Sequence, residues 1–218
     1  QQITEIQAIP SDRETMENRS MALASNFVSG TGLLAEAIVA LQQVCMQCRR
    51  YQFANTMEKQ TWDVLLQNLL DGQLDLAVVK IDNYDEAEYM QQIEKEHLIF
   101  DELYQEQLYV VTRTGHPLQG KNVTILDLKQ FPCVIDDNNL NDYISAIYGK
   151  EYCMSNTLVV ETQTGLRRYL DNTDAISVMP QYELEQGNQI HRSQLEVLQL
   201  ENFQWTRKVG CLRRSRQL

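Results

Sequence analysis

The chain has 218 residues, 43% of them hydrophobic, and a formal net charge of -11. That length holds one large or two modest domains with a sizeable buried core, which makes the protein globular. The acidity would repel a polyphosphate backbone, and no basic stripe offsets it, so the chain as it stands is expected not to bind nucleic acid.

Ile3, Ile6 and Ile9 share an i, i+3 spacing that predicts a short helical piece ended by Pro10, and residues 11–18 are polar and linker-like. Ser20 to Ser25 reads as a strand. Leu33, Leu34, Ala37, Ile38, Leu41, Val44, Cys45 and Cys48 then mark a long amphipathic helix over about 30–49, and Tyr51 to Met57 a second strand. Trp62, Leu65, Leu66, Leu69 and Leu70 form the apolar stripe of the next helix. Thr61 stands at its cap position and Asp63 in its first turn. Asp71-Gly72 closes it, since glycine adopts the left-handed terminal conformation without penalty. Leu74 to Val79 is an almost continuous apolar run, as expected of a parallel strand covered on both faces, with Lys80 at its carboxyl end.

Residues 82–96 are acidic and weakly periodic, which predicts a solvated helix or loop. Leu98 to Leu103 and Gln107 to Thr112 read as two strands, Thr114 to Pro117 as a turn, and Thr124 to Asp127 as a capping-box start to a short helix. A second α/β series follows: a strand over Cys133 to Ile135, a helix over Asn139 to Tyr148, a strand over Leu158 to Glu161, a helix over Thr164 to Leu170, and a strand over Ala175 to Met179 stopped by Pro180. Leu195 to Leu200 and Lys208 to Arg213 supply the last strands. Two α/β blocks result, one either side of about residue 107, with no sequence repeat between them.

Five cysteines are an odd number without framework spacing, which fits a reducing compartment. Cys45 and Cys48 lie near the end of their predicted helix, whereas a redox pair needs a helix N-terminus to lower its thiol pKa. A zinc site would need two further ligands, and His97, His116 and His191 are scattered. No metal and no cofactor is expected. No apolar run approaches a membrane span, and QQITEIQAIP lacks the regions of a signal peptide, so a cytoplasmic protein is expected. The chain begins at Gln1 without a methionine, which suggests part of a longer protein.

The string from Leu69 to Val78, LLDGQLDLAV, resembles the signature of the effector domain of LysR-type transcriptional regulators. Arg19 to Ser25, Leu108 to Val111, His116-Pro-Leu118, Val123 to Leu128, Phe131 to Ile135 and Ala175 to Pro180 are similar to that family in order and spacing. The resemblance covers roughly residues 19–214. Thr173-Asp174-Ala175 departs from it, standing where the family usually has Gly-x-Gly, and residues 181–194 form a longer stretch than usual.

The resemblance implies an α/β, periplasmic-binding-protein-like fold, with two subdomains joined by two crossing strands and a ligand cleft between them. Residues 1–18 would be the end of a linker helix and linker, 19–104 plus 197–218 one subdomain, and 105–196 the other. The implied function is small-molecule sensing without catalysis, in a homodimer or tetramer in which the 30–49 helix of one subunit meets the second subdomain of another. DNA would be read only through an N-terminal winged helix-turn-helix that this chain lacks. Two alternatives stand beside it. A transporter's solute-binding protein shares the implied fold, and Gly30-Thr-Gly32-Leu-Leu-Ala35 matches the dinucleotide fingerprint of a nicotinamide enzyme. Against the fingerprint, residues 26–29 separate the strand from the first glycine, and Glu58 comes later than the ribose-binding acid should.

In an open α/β sheet, ligands gather at the carboxyl ends of the strands and the N-termini of the helices. Ser25 and Asn26 end the first strand, Gln60 and Thr61 start the helix after it, and Lys80 follows the buried strand. In the second block Asp136 ends a strand, and Thr162 and Thr164 occupy a strand-to-helix turn. These positions match the places where the resembling family lines its effector pocket. Ser25, Thr61 and Thr164 could equally act as helix caps, and Lys80 as a solvated surface charge. A lysine beside two helix N-termini favours a small organic anion as effector.

Overall fold

The apolar stripe after Thr61 folds as a helix, α1 (Trp62–Leu70), which buries Trp62, Leu65, Leu66 and Leu69. The computed structural model describes residues 20–21, 23–25, 52–53, 60–135, 139–160, 162–190 and 194–215. The predicted helices at 3–9 and 30–49, the linker to residue 18, the Cys45 and Cys48 pair, the 30–35 fingerprint, Asn26 and Asp136 lie outside them. The Asp71 amide donates to the Gln67 carbonyl at the end of α1. Gly72 then takes a φ of +74°, where a Cβ would also lie 2.7 Å from Arg214 Nη1.

Three short strands, β1 (Ser20–Met21), β2 (Leu23–Ser25) and β3 (Gln52–Phe53), precede α1. After it come β4 (Leu76–Asp82) and α2 (Glu86–Lys95), so the acidic stretch is a helix, anchored by the buried Ile93. Next are β5 (Leu98–Arg113), α3 (Ile125–Leu128), β6 (Cys133–Ile135) and α4 (Leu140–Ile147). They are followed by β7 (Thr157–Val159), α5 (Gln163–Asn172), β8 (Ser177–Pro180), α6 (Gln181–Ile190), β9 (Leu195–Val197) and β10 (Trp205–Arg214). The capping box at α3 forms as predicted, with Asp127 Oδ2 accepting from the Thr124 amide and hydroxyl at 2.9 and 2.7 Å.

Strands β2 and β4 are parallel, as the sequence predicts, but the sheet around them is mixed, in the order β2-β4-β10-β5-β8, with β9 also paired to β5. β10 runs antiparallel to both β4 and β5. This pairing corrects two boundaries. The two strands predicted at 98–103 and 107–112 are one 16-residue strand, because β10 pairs with it from Leu98 to Leu108 across the polar residues between them. Lys80 does not follow its strand but lies within it, opposite Val209, because β10 carries β4 on to Asp82. The longer stretch at 181–194 contains α6. Gly210 sits at a register shift, where a Cβ would come within 2.5 Å of the Phe100 ring, so this crossing needs glycine.

The apolar core is divided. One cluster packs α1, β4 and α2 through Leu65, Leu69, Val79, Ile81 and Ile93, together with Leu98 and Leu212. A second centres on β6 and α4, where Leu128, Tyr143, Ile144 and Ile176 meet Leu108, Val110 and Trp205. A third gathers Leu166, Leu170, Met179 and Leu184. β5 and β10 thus enter one cluster at one end and another at the opposite end, which makes them the crossing strands. Cys133 is fully buried, and burial pushes its thiol up to about 12, as expected of an inert core thiol.

Candidate functional site

A cavity of about 650 Å³ opens where α1, β4, the start of α2 and α4 approach one another, a volume ordinary for a small-molecule site. Its first wall is the N-terminus of α1, where Gln60, Thr61 and Trp62 line it. Thr61 has the extended backbone of a cap, yet its side chain makes no capping hydrogen bond. Gln60 is held from behind, its Oε1 accepting from Asn68 Nδ2 at 3.0 Å. The unpaired amides of a helix start and its dipole give this wall positive character.

The floor comes from β4 and β10. Lys80, Asp82 and Trp205 line it, and the two strands are bound there by a buried polar knot. Asp82 Oδ1 accepts from Trp205 Nε1 at 2.7 Å and from Arg207 Nε at 2.9 Å. The Asp82 charge is therefore compensated inside the protein. Lys80 acts partly on the half-buried Glu106, whose carboxyl is raised by burial and pulled back by Arg207 and then Lys80.

The remaining walls are acidic and aromatic. Tyr84, Asp85 and Tyr89 come from the turn before α2 and its first turns, Asn139 and Asp142 from the start of α4. The Trp62 and Tyr89 rings pack at 4.3 Å between centroids, and Tyr84 meets Trp205 edge-on at 5.7 Å. Burial, and then the Asp82 charge, push Asp85 up to about 7. Burial also raises Asp142, against a hydrogen bond from Asn139. Tyr89 is pushed up to about 12 by burial and the neighbouring Asp85. Among the described residues no three His, Cys, Asp or Glu side chains converge as metal ligands.

Of the predicted site residues, the structure brings Gln60, Thr61 and Lys80 together in this cavity. Ser25 ends β2 in register with Val78, two residues before Lys80 on the adjacent parallel strand. Thr162 and Thr164 stand at the start of α5 and do not line the cavity. Thr162 caps the helix, its Oγ1 accepting from the Gly165 amide at 3.1 Å, and Thr164 is exposed.

The sequence did not single out Trp62, Asp82, Tyr84, Asp85, Tyr89, Asn139, Asp142 or Trp205 as site residues. Trp62 belongs to the apolar stripe and so registers as core. Tyr84 and Tyr89 were the available signal in the 82–96 stretch, because two aromatic rings are unusual in a fully solvated segment. Trp205 gave none, since its partner Asp82 is 123 residues away.

The family model described as "LysR substrate binding domain" matches residues 30–218. Several solved regulatory domains share the fold. A mutant OxyR2 regulatory domain from Vibrio vulnificus is 14% identical with a TM-score of 0.60, over 95% of this chain and 92% of that one. The CcmR regulatory domain from Synechocystis, solved in complex with 2-PG, is 15% identical with a TM-score of 0.62, over 92% and 89%. The effector binding domain of QuiR, solved in complex with shikimate, is 16% identical with a TM-score of 0.61, over 92% and 90%. No curated protein sequence is significantly similar to the chain.

Proposed function

Because the chain belongs to the LysR substrate binding domain family, we propose that it is the effector-sensing and dimerisation module of a LysR-type regulator, and that its effector is a small organic anion. The observation that carries this reading is the convergence of Gln60, Thr61 and Lys80 on one ligand-sized cavity. A lysine ammonium and the exposed amides of a helix start both attract negative charge, and their effects add in a partly dry cleft. That the CcmR and QuiR domains were solved with 2-PG and shikimate supports a small-molecule ligand for a domain of this fold.

The division of the core supports the two subdomains, residues 19–104 with 197–218 and residues 105–196, hinged on β5 and β10. Ser25, Asn26, Asp136, Thr162 and Thr164 stay in the proposed set as residues that approach the effector when the subdomains close. The protein changes shape around its ligand and performs no chemistry on it. DNA recognition belongs to a winged helix-turn-helix on the same polypeptide in the full-length regulator, which operates in the cytoplasm. With its charge of -11, this chain alone is expected not to retard duplex DNA at physiological salt.

The test is a thermal-shift screen of organic acids against the wild-type chain and Lys80→Met. An acid present at 100 times its dissociation constant stabilises the wild type by about 2.7 kcal/mol. Lys80→Met abolishes the shift, and it lowers the unliganded melting temperature as well, because the half-buried Glu106 loses part of its compensation. Ligands that are exclusively neutral or cationic, or full binding by Lys80→Met, overturn the anion assignment.

A further inference from the structure

Two tyrosines of α4 fasten that helix to the entrance of β10. Tyr143 is 1% exposed, and its ring lies parallel to the Trp205 indole, with 5.1 Å between centroids and 7° between planes. Its hydroxyl, which needs a partner once buried, accepts from the Gln204 amide at 3.0 Å. At the end of the helix the Tyr148 hydroxyl donates to the Asn202 carbonyl at 3.0 Å. Asn202 takes a φ of +56°, so the chain turns sharply there before it enters the crossing strand.

The turn after β4 holds the same segment from the other side. Asn83 donates from Nδ2 to the Gln204 carbonyl at 2.8 Å, and its Oδ1 accepts from the Thr206 amide at 3.3 Å. Tyr84, the next residue, meets the Tyr143 ring edge-on at 5.9 Å and the Trp205 ring edge-on at 5.7 Å. Gln204 is thus gripped at its amide by α4 and at its carbonyl by the turn, beside an indole that donates to Asp82.

This joint adjoins the cavity without lining it. Tyr84 and Trp205 line the cavity on one side and Asn139 and Asp142 line it from the start of α4, whereas Tyr143 is outside the lining. A change in the angle between the Tyr143 and Trp205 rings therefore moves one wall relative to the other. Stacked rings by themselves slide and rotate; a hydrogen bond at the tip of one ring fixes the angle. Gln204 is exposed, so solvent can take the place of the phenol at its amide, and the bond adds little to stability.

We propose that Tyr143 is a positioning residue that sets the width of the ligand cleft. Its stack on Trp205 is the pivot between the two subdomains, and its hydroxyl on Gln204 is the stop that holds one angle. This rests on the two-subdomain reading above and names the contact that controls it. An effector then meets walls already near their binding separation, which leaves less ordering for the ligand to bring about.

The experiment measures the distance between the subdomains in the ligand-free chain by pulsed electron paramagnetic resonance. Spin labels are attached through p-acetylphenylalanine at the exposed positions of Gln91 on α2 and Arg168 on α5. The otherwise wild-type chain is expected to give one narrow distribution. Tyr143→Phe keeps the ring and removes the stop, and is expected to widen the distribution about twofold or more with little change in melting temperature. Asn83 is exposed, so Asn83→Ala releases Gln204 without disturbing the core, and it is expected to widen the distribution as well. An unchanged width in Tyr143→Phe overturns the proposal, and so does a wild-type distribution as broad as those of the variants. If Tyr143→Phe does not fold, the width in Asn83→Ala decides alone. The measurement uses no ligand, so its failure is separate from that of the anion reading, which the thermal-shift screen decides.

Discussion

Arg207 Nε lies 2.9 Å from Asp82 Oδ1, in an ion pair whose side chains are 4% and 10% exposed. The two residues face each other across β10 and β4, and the same oxygen also takes the Trp205 indole donor. A pair this deep is costly to form and far costlier to break on one side, since the survivor stays buried and charged. It therefore holds the floor of the cavity in one register and keeps the Asp82 charge away from the ligand.

Arg207→Met is expected to destabilise the chain by roughly 3–5 kcal/mol, because Asp82 is left uncompensated. Asp82→Asn added to it recovers part of the loss by removing the orphaned charge. Urea unfolding of the single and double variants measures both. A single-variant loss below about 1 kcal/mol would show that the pair is solvated and structurally unimportant.

Asp85 makes the unliganded protein pH-sensitive. Its carboxyl titrates at about 7 in the folded chain against 3.8 as its ordinary value, so between those values the folded state holds a proton that the unfolded state has lost. Its contribution to stability is complete below about 4 and disappears as the pH rises through about 7. Asp85→Asn removes this slope. The variant is expected to exceed the wild type at pH 8 by on the order of 1 kcal/mol, well below the full value of the shift because the group is only half-buried. Denaturation midpoints at pH 4.5, 6 and 8 decide it: parallel curves for the two proteins would place the Asp85 carboxyl in its usual range.

β7 pairs with β6 on one side and has no strand on the other among the described residues. Leu158 and Val159 on it are 40% and 70% exposed. Exposed apolar residues on an edge strand fit a subunit contact better than solvent. On the proposed dimerisation, Val159→Glu is expected to weaken self-association tenfold or more while leaving the melting temperature of the monomer within a degree or two. Sedimentation equilibrium reads the outcome, and a variant that dimerises as well as the wild type moves the contact elsewhere.

The local elements were legible in the sequence because their causes are local. The stripe from Trp62 to Leu70, the positive φ at Gly72, the capping box at Thr124 and the apolar run into β4 each depend on residues within one or two turns. Gln60, Thr61 and Lys80 could be placed in one cleft for a related reason: a parallel strand and the helix before it have a fixed polarity, which defines the ligand-bearing edge. The family signature LLDGQLDLAV carried the overall fold. Only the tertiary structure could join the two strands at 98–112, since the polar residues between them break the apolar pattern and are held by pairing with β10, about a hundred residues later in the chain. The same is true of the acidic wall. Asp85 and Asp142 are 57 positions apart in sequence, and each alone has the character of a solvated surface charge. The fold sets both in one cavity lining with Tyr84 and Tyr89, where burial raises their carboxyls, because the desolvation arises from surroundings that no local pattern encodes.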